Sequence, residues 1–169
     1  MMERDERKMT DARNEKVIVA LDVDSPEDAL ALARNLQGTG CWLKVGLELY
    51  AVSGLKLVDE FKELGFSIFL DLKLHDIPTT VERTLRVLMK AGVDLVDLHC
   101  SGGYEMMARA AEVVHAAGKK VIGVTVLTSM DEEDLQAVGV NATPAAQVVN
   151  LARLAKKAGL DGVVASAQE

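Results

Sequence analysis

Asp71, Lys73 and Asp76, with His75 among them, interrupt an otherwise apolar segment, Phe69-Leu70-Asp71-Leu72-Lys73-Leu74-His75-Asp76-Ile77-Pro78-Thr79-Thr80. Ser67-Ile68-Phe69-Leu70 reads as a short buried strand, since β-branched and aromatic side chains suit a pleated core surface. Side chains alternate along a strand, so Asp71 and Lys73 are expected on one side, roughly 6–7 Å apart along the backbone. Two unpaired charges there would cost several kcal/mol, so each needs a partner or a ligand. An ammonium between carboxylates stays protonated at neutral pH, because both neighbours favour its charged form. Such a lysine is a poor Schiff-base nucleophile and a competent proton donor.

The elements that must position these groups follow from alternating apolar and amphipathic segments. Val17–Leu21 reads as a strand ending at Asp22. Ser25-Pro26-Glu27-Asp28 supplies an N-cap, a first-turn proline and first-turn acids for a helix to about Gln37. Trp42–Gly46 is a second strand, carrying Lys44, and one helix is expected from it to about Leu64, with Gly65 as terminator. After the Asp71/Lys73 strand, Pro78 opens a helix reaching about Ala91-Gly92. Asp94–His99 and Val121–Leu127 are strands four and five, flanking a helix from about Tyr104 to Ala117. Thr128–Asn141 is polar and acidic, a mobile loop or a short extra helix. Thr143-Pro144 caps a helix to about Ala158, Gly159 ends it, and 161–165 is strand six.

Strands alternating with amphipathic helices imply a parallel sheet with helices outside it. Polar or charged residues recur where strands end, at Asp22, Lys44, Asp71, His99 and Thr128. In a (β/α) barrel those ends form one face, where active sites sit. A doubly wound sheet often carries a Gly-rich phosphate loop, and Gly102-Gly103 is too little for one. The expected fold class is therefore α/β, a (β/α)8 TIM-type barrel. Only about its first six β/α units are present, so residues 16–169 read as an incomplete, C-terminally truncated barrel domain. Residues 1–15 are crowded with charge, lack apolar periodicity and read as a disordered leader.

Composition narrows the function. With 49% hydrophobic and 27% charged residues over 169 positions, the chain has the make-up of a globular domain with a sizeable core. A net charge of −7 argues against a general nucleic-acid or membrane surface, though not against a small anionic ligand. Cys41 and Cys100, in apolar contexts at no metal spacing, read as reduced core thiols of a cytoplasmic protein. No apolar run approaches a membrane span, and the charged start is no signal peptide. No metal is expected, since no H-x-x-x-H or acidic doublet accompanies the histidines. His75 and His99 read as structural hydrogen-bonding groups, and Tyr104 with Met106-Met107 as helix core. Taken singly, each strand-end charge is as readily a rim salt bridge as a functional group.

With these residues in place, the chain resembles the orotidine 5'-phosphate decarboxylases of bacterial type. The likeness runs from about Val17 to Glu169. It rests on Ala20-Leu21-Asp22, Leu43-Lys44-Val45-Gly46, the long segment Phe69–Pro78, Ser101-Gly102-Gly103, Val124-Thr125-Val126-Leu127-Thr128-Ser129 and Asp161-Gly162-Val163-Val164. The Asp-x-Lys-x-x-Asp core is shared with hexulose-phosphate synthases and keto-gulonate-phosphate decarboxylases, while the continuation His75-Asp76-Ile77-Pro78 is more specific. The resemblance implies cofactor-free conversion of orotidine 5'-phosphate to UMP in pyrimidine biosynthesis. It implies Lys73 as the group that protonates C6, Asp71 beside the departing carboxyl group, and Lys44 in the same charge network. Asp76 matches an aspartate given to the neighbouring subunit's site, hence a homodimer. Asp22 and Lys44 match ribose contacts. Asp71 to Thr80, Ile77 included, match the substrate-binding segment, with Thr80 on the sugar side and Thr128 near the pyrimidine ring. The family's phosphate loop and last-strand arginine have no counterpart here, so no phosphate ligand is assigned. Two other readings stand beside this one: a catalytically inactive barrel fragment serving as a folding or assembly module, and a magnesium-dependent sugar-phosphate aldolase or decarboxylase of the same group.

Overall fold

The structure is a computed structural model and describes residues 17–164. The charged leader expected over residues 1–15 lies outside the described residues. Six strands, β1 (Ile18–Ala20), β2 (Trp42–Gly46), β3 (Ile68–Leu74), β4 (Leu95–His99), β5 (Lys120–Val124) and β6 (Gly162–Val164), follow one another in the sheet in chain order. Pairing is parallel, with Ile18 opposite Trp42, Leu43 opposite Ile68 and Ile122 opposite Gly162. Between the strands lie α1 (Pro26–Leu36), α2 (Leu47–Ser53), α3 (Leu55–Glu63), α4 (Pro78–Lys90), α5 (Tyr104–Ala116), α6 (Glu132–Ala137) and α7 (Pro144–Ala158). A parallel neighbour requires a crossover, and helices supply it. No helix among the described residues is long and apolar enough to cross a membrane.

The residues group into two compact units, one running through Leu72 and taking in Leu88–Leu95, the other made of Lys73–Val87 and the chain from Val96 on. In the first, β2 and β3 bury Leu43, Val45, Ile68 and Leu70 together with Phe61 of α3. The start of β3 is held by Asp94, whose carboxylate accepts the Ile68 N–H at 2.8 Å and pairs with Lys62 at 2.7 Å. In the second unit, Leu98, Val121, Met106, Met107 and Val114 form the core. Asp161 plays the matching part there, accepting the Val121 N–H at 2.8 Å and meeting His115 Nε2 at 2.9 Å. The two aspartates end closely similar local sequences, Lys-Ala-Gly-Val-Asp at 90–94 and Lys-Ala-Gly-Leu-Asp at 157–161.

Several boundaries follow their capping chemistry. Ser25 Oγ accepts the Asp28 N–H to start α1, Thr143 Oγ1 accepts the Ala146 N–H to start α7, and Gly159 ends α7 in the left-handed conformation. Others differ from expectation. The single helix expected after β2 is two, because Gly54 adopts φ 59°, ψ −152°, which no helix accommodates. Strand β3 continues to Leu74, through the charged residues. Strand β5 stops at Val124, beyond which the Thr125 hydroxyl, not its backbone N–H, donates to the Val164 carbonyl at 3.1 Å. The acidic segment after β5 holds the short helix α6, opened by a reciprocal Asp131/Asp134 capping box. Met106 and Met107 are core, but Tyr104 is not: it stands at the exposed start of α5, with Lys157 Nζ 5.5 Å from its ring centre.

Candidate active site

In the first unit the ends of β1, β2 and β3 bring three ionisable groups together. Pairing of Ala20 with Lys44 and of Gly46 with Asp71 sets the register. Lys44 Nζ lies 3.2 Å from Asp22 Oδ1 and 3.3 Å from Asp71 Oδ2. Gly46 lies beside Asp71 in register, and a Cβ there would be in ordinary contact with Lys44 Nζ, at 3.7 Å. Asp71 is nearly buried, with 12% of its side chain exposed, whereas Asp22 is 75% exposed. Burial alone would push the Lys44 pKa down. The hydrogen bond to Asp22 and the charge of Asp71 outweigh it and hold the ammonium above its ordinary value. Lys44 is thus the ammonium held between two carboxylates.

In the second unit Lys73 has φ 49°, the one non-glycine residue among those described with a positive φ. That conformation costs an L-residue about 1–2 kcal/mol. Its N–H donates to Asp97 Oδ1 at 2.8 Å, and Asp97 is 1% exposed. Simple strand alternation therefore does not set the direction of the Lys73 side chain. Past the end of β3, the Asp76 carboxylate folds back to accept the Ile77 N–H at 2.7 Å, leaving Ile77 66% exposed. The Ile77 carbonyl accepts the Thr80 and Val81 N–H groups, which starts α4 behind Pro78. His75 and His99 meet ring to ring, with centroids 5.3 Å apart, and line this region. Burial chiefly, then the charges of His75 and Lys73, lower the His99 pKa. An open cleft of about 530 Å³ runs along His75, Asp76, Ile77, Pro78, Ser101 and Gly102. A more apolar cavity of about 230 Å³ is lined by His75, His99 and Ser101, with Thr125, Leu127 and Met130 among its other walls. Thr128 is exposed, and Thr125 rather than Thr128 presents its side of the cavity.

The first unit also has a cavity of about 390 Å³ at the opposite, amino-terminal ends of β2 and β3, around Trp42 and Phe66. Cys41 is the one ionisable side chain among its lining residues, and no carboxylate, lysine or histidine accompanies it. The charged strand ends are the stronger candidate.

Sequence reasoning named Asp22, Lys44, Asp71, Lys73, Asp76, Ile77, Thr80 and Thr128. The first three meet in one unit; in the other, Lys73 lies near the end of β3, Asp76 and Ile77 in the β3–α4 connection and Thr80 in the first turn of α4. Asp97 was missed. Its one sequence signal is a carboxylate in the middle of Leu95-Val96-Asp97-Leu98, an otherwise apolar strand.

Residues 15–169 match the family model described as the Orotidine 5'-phosphate decarboxylase / HUMPS family. A relative from Pseudoalteromonas translucida named orotidine 5'-phosphate decarboxylase is 49% identical over 160 residues, which are 93% of this chain and 68% of that protein. One of the same name from Neisseria meningitidis serogroup C is 51% identical over 155 residues, 90% of this chain and 63% of that protein. The chain thus spans about two thirds of the length of these curated relatives. Among solved structures, orotidine 5'-phosphate decarboxylase from Lactobacillus acidophilus superposes with a TM-score of 0.83 at 35% identity, over 89% of this chain and 70% of that one. An uncharacterized conserved protein from Geobacillus kaustophilus gives a TM-score of 0.84 at 42% identity, over 88% and 73% of the two chains. The fold class is α/β, with six parallel strands and their helices as in a TIM-type barrel. By its matched residues and its fold, this chain belongs to the orotidine 5'-phosphate decarboxylase / HUMPS family.

Proposed function

We propose that the chain carries the cofactor-free decarboxylation of orotidine 5'-phosphate to UMP. The observation that carries this reading is the charge array of β1–β3: a lysine held protonated by two carboxylates, one of which, Asp71, precedes Lys73 by two residues on β3. Family membership supports it. The bond from C6 to the carboxyl carbon breaks, its electron pair stays on C6, and carbon dioxide leaves. The Lys73 ammonium stabilises the developing carbanion and transfers its proton to C6, and the neutral amine then takes a proton from water. Asp71 stands beside the departing carboxylate, and Lys44 keeps that carboxylate array ionised and in place. Asp22 and Lys44 contact the ribose. Ile77 and Thr80 line the substrate segment, with Thr128 on the pyrimidine side. Asp76 serves the site of a second subunit in a homodimer, so substrate and a second copy of the chain are the partners.

The test is decarboxylation of orotidine 5'-phosphate by the purified 169-residue chain, followed by ultraviolet absorbance in the presence of a chelator, with Lys73→Ala alongside. Turnover that survives chelation and disappears in K73A, while circular dichroism shows both chains folded, is the expected result. A folded wild-type chain without turnover overturns the reading in favour of an assembly module. Turnover only of hexulose or keto-gulonate phosphates with added magnesium overturns it in favour of the sugar-phosphate branch.

A further inference from the structure

We infer that Asp97 is a positioning residue for Lys73: its buried carboxylate holds the lysine backbone in the left-handed conformation from which the ammonium is presented. The inference rests on the reading of Lys73 as the proton donor. Two observations carry it independently of any titration. Lys73 alone among the described non-glycine residues has a positive φ, at 49°. Its N–H is taken by Asp97 Oδ1 at 2.8 Å, and Asp97 is 1% exposed.

A residue in this region of backbone space persists only where its surroundings over-determine it, and such residues gather at functional sites. Relaxation of Lys73 to extended geometry would rotate its Cα–Cβ bond away from the present direction and carry the ammonium with it. The N–H bond to Asp97 opposes that relaxation, because the acceptor is a side chain fixed in the core rather than a ladder carbonyl that could follow the strand. The cost of a carboxylate at a core position of β4 also needs a reason. Leu95, Val96 and Leu98 around it are buried and apolar, and packing alone would be met by valine or threonine. Asp94, at the other end of the same segment, makes the same kind of bond to Ile68, but to a strand residue without positive φ and in partnership with Lys62, which is a structural clamp. What sets Asp97 apart is that its N–H partner is the lysine itself.

The experiment compares wild type, Asp97→Asn and Asp97→Leu in the full chain. Asparagine keeps an oxygen acceptor without the charge, and leucine keeps the volume without the acceptor. Steady-state kinetics with orotidine 5'-phosphate should show kcat reduced about 100-fold in D97L with KM nearly constant, the scale of an ångström-sized misplacement. D97N should restore most of that loss. In parallel, the Lys73 amide is followed by NMR hydrogen exchange: slow in wild type and D97N, fast in D97L. An equal fall of kcat in D97N and D97L, a change confined to KM, or an undisturbed Lys73 amide in D97L would each overturn the proposal. Should D97L fail to fold, wild type and D97N decide it, since fast exchange of the Lys73 amide in either is incompatible with the bond. A wild-type chain with no turnover would sink the decarboxylase reading, while the exchange arm still tests whether Asp97 holds Lys73.

Discussion

Lys44 joins two carboxylates of very different exposure. Of its two carboxylate partners, Asp22 is largely in water, where an ion pair is screened and contributes little. Asp71 is nearly buried, and without Lys44 it would keep a charge with one fewer counter-ion in a poorly solvated place. Lys44→Met, which keeps the length of the stem, is therefore expected to destabilise the chain by about 1–3 kcal/mol, chiefly through Asp71. The pH dependence has a definite sign. The folded pKa of Lys44 lies above its ordinary 10.5, so the contribution of the pair is full below that value and is lost as pH rises through the folded value. Urea titrations of wild type and K44M at a series of pH values check this. The stability gap between them should be constant through the neutral range and shrink on the alkaline side of 10.5. A gap that is absent at neutral pH would show that the pair adds no stability.

At the scale of elements, the packing of β5 against its neighbours depends on one missing side chain. A Cβ on Gly123 would collide with Cys100 Sγ and stand 3.0 Å from Leu160 Cδ1, tighter than most real contacts. Gly123 has no positive φ, so steric space, not backbone freedom, selects glycine here. The thiol it accommodates is fully buried, and burial pushes its pKa up to about 11, which makes it a space-filling group and not a nucleophile. Gly123→Ala should cost about 1–3 kcal/mol as overpacking. Cys100→Ala removes the colliding sulfur and leaves a small cavity, so by itself it should destabilise by about 1 kcal/mol. Because the two changes act on the same space, the double variant should be more stable than the sum of the two losses predicts. Thermal melts of the four chains measure the coupling, and strict additivity would mean that Leu160, not Cys100, is the obstacle.

At the scale of the whole chain, the strand–helix alternation was legible because the strands are short, mainly apolar runs and because α1 and α7 carry clear caps, at Ser25, Pro26, Thr143 and Gly159. Gly54 was not legible as a break, since the amphipathic pattern runs through it and only its dihedral angles divide α2 from α3. The charged partners of Lys44 were within reach of sequence because like and unlike charges at strand ends must be compensated. The positive φ of Lys73 was not, because a left-handed lysine has no compositional mark and arises from a tertiary bond to Asp97, 24 residues on. The role of Asp76 belongs to this scale too. Its carboxylate is exposed beside exposed Ile77 and accepts the Ile77 N–H through Oδ1. If Asp76 completes the site of a second copy, Lys73→Ala and Asp76→Ala chains are each inactive alone. Mixed in equal amounts after separate purification and re-equilibration, they form mixed dimers in which one of two sites holds both an intact lysine and an intact aspartate. With random pairing, about one quarter of wild-type activity should return. Sedimentation of the same mixture should show the dimer mass. Activity that stays at the level of the separate variants while dimers form would place Asp76 in its own subunit's site.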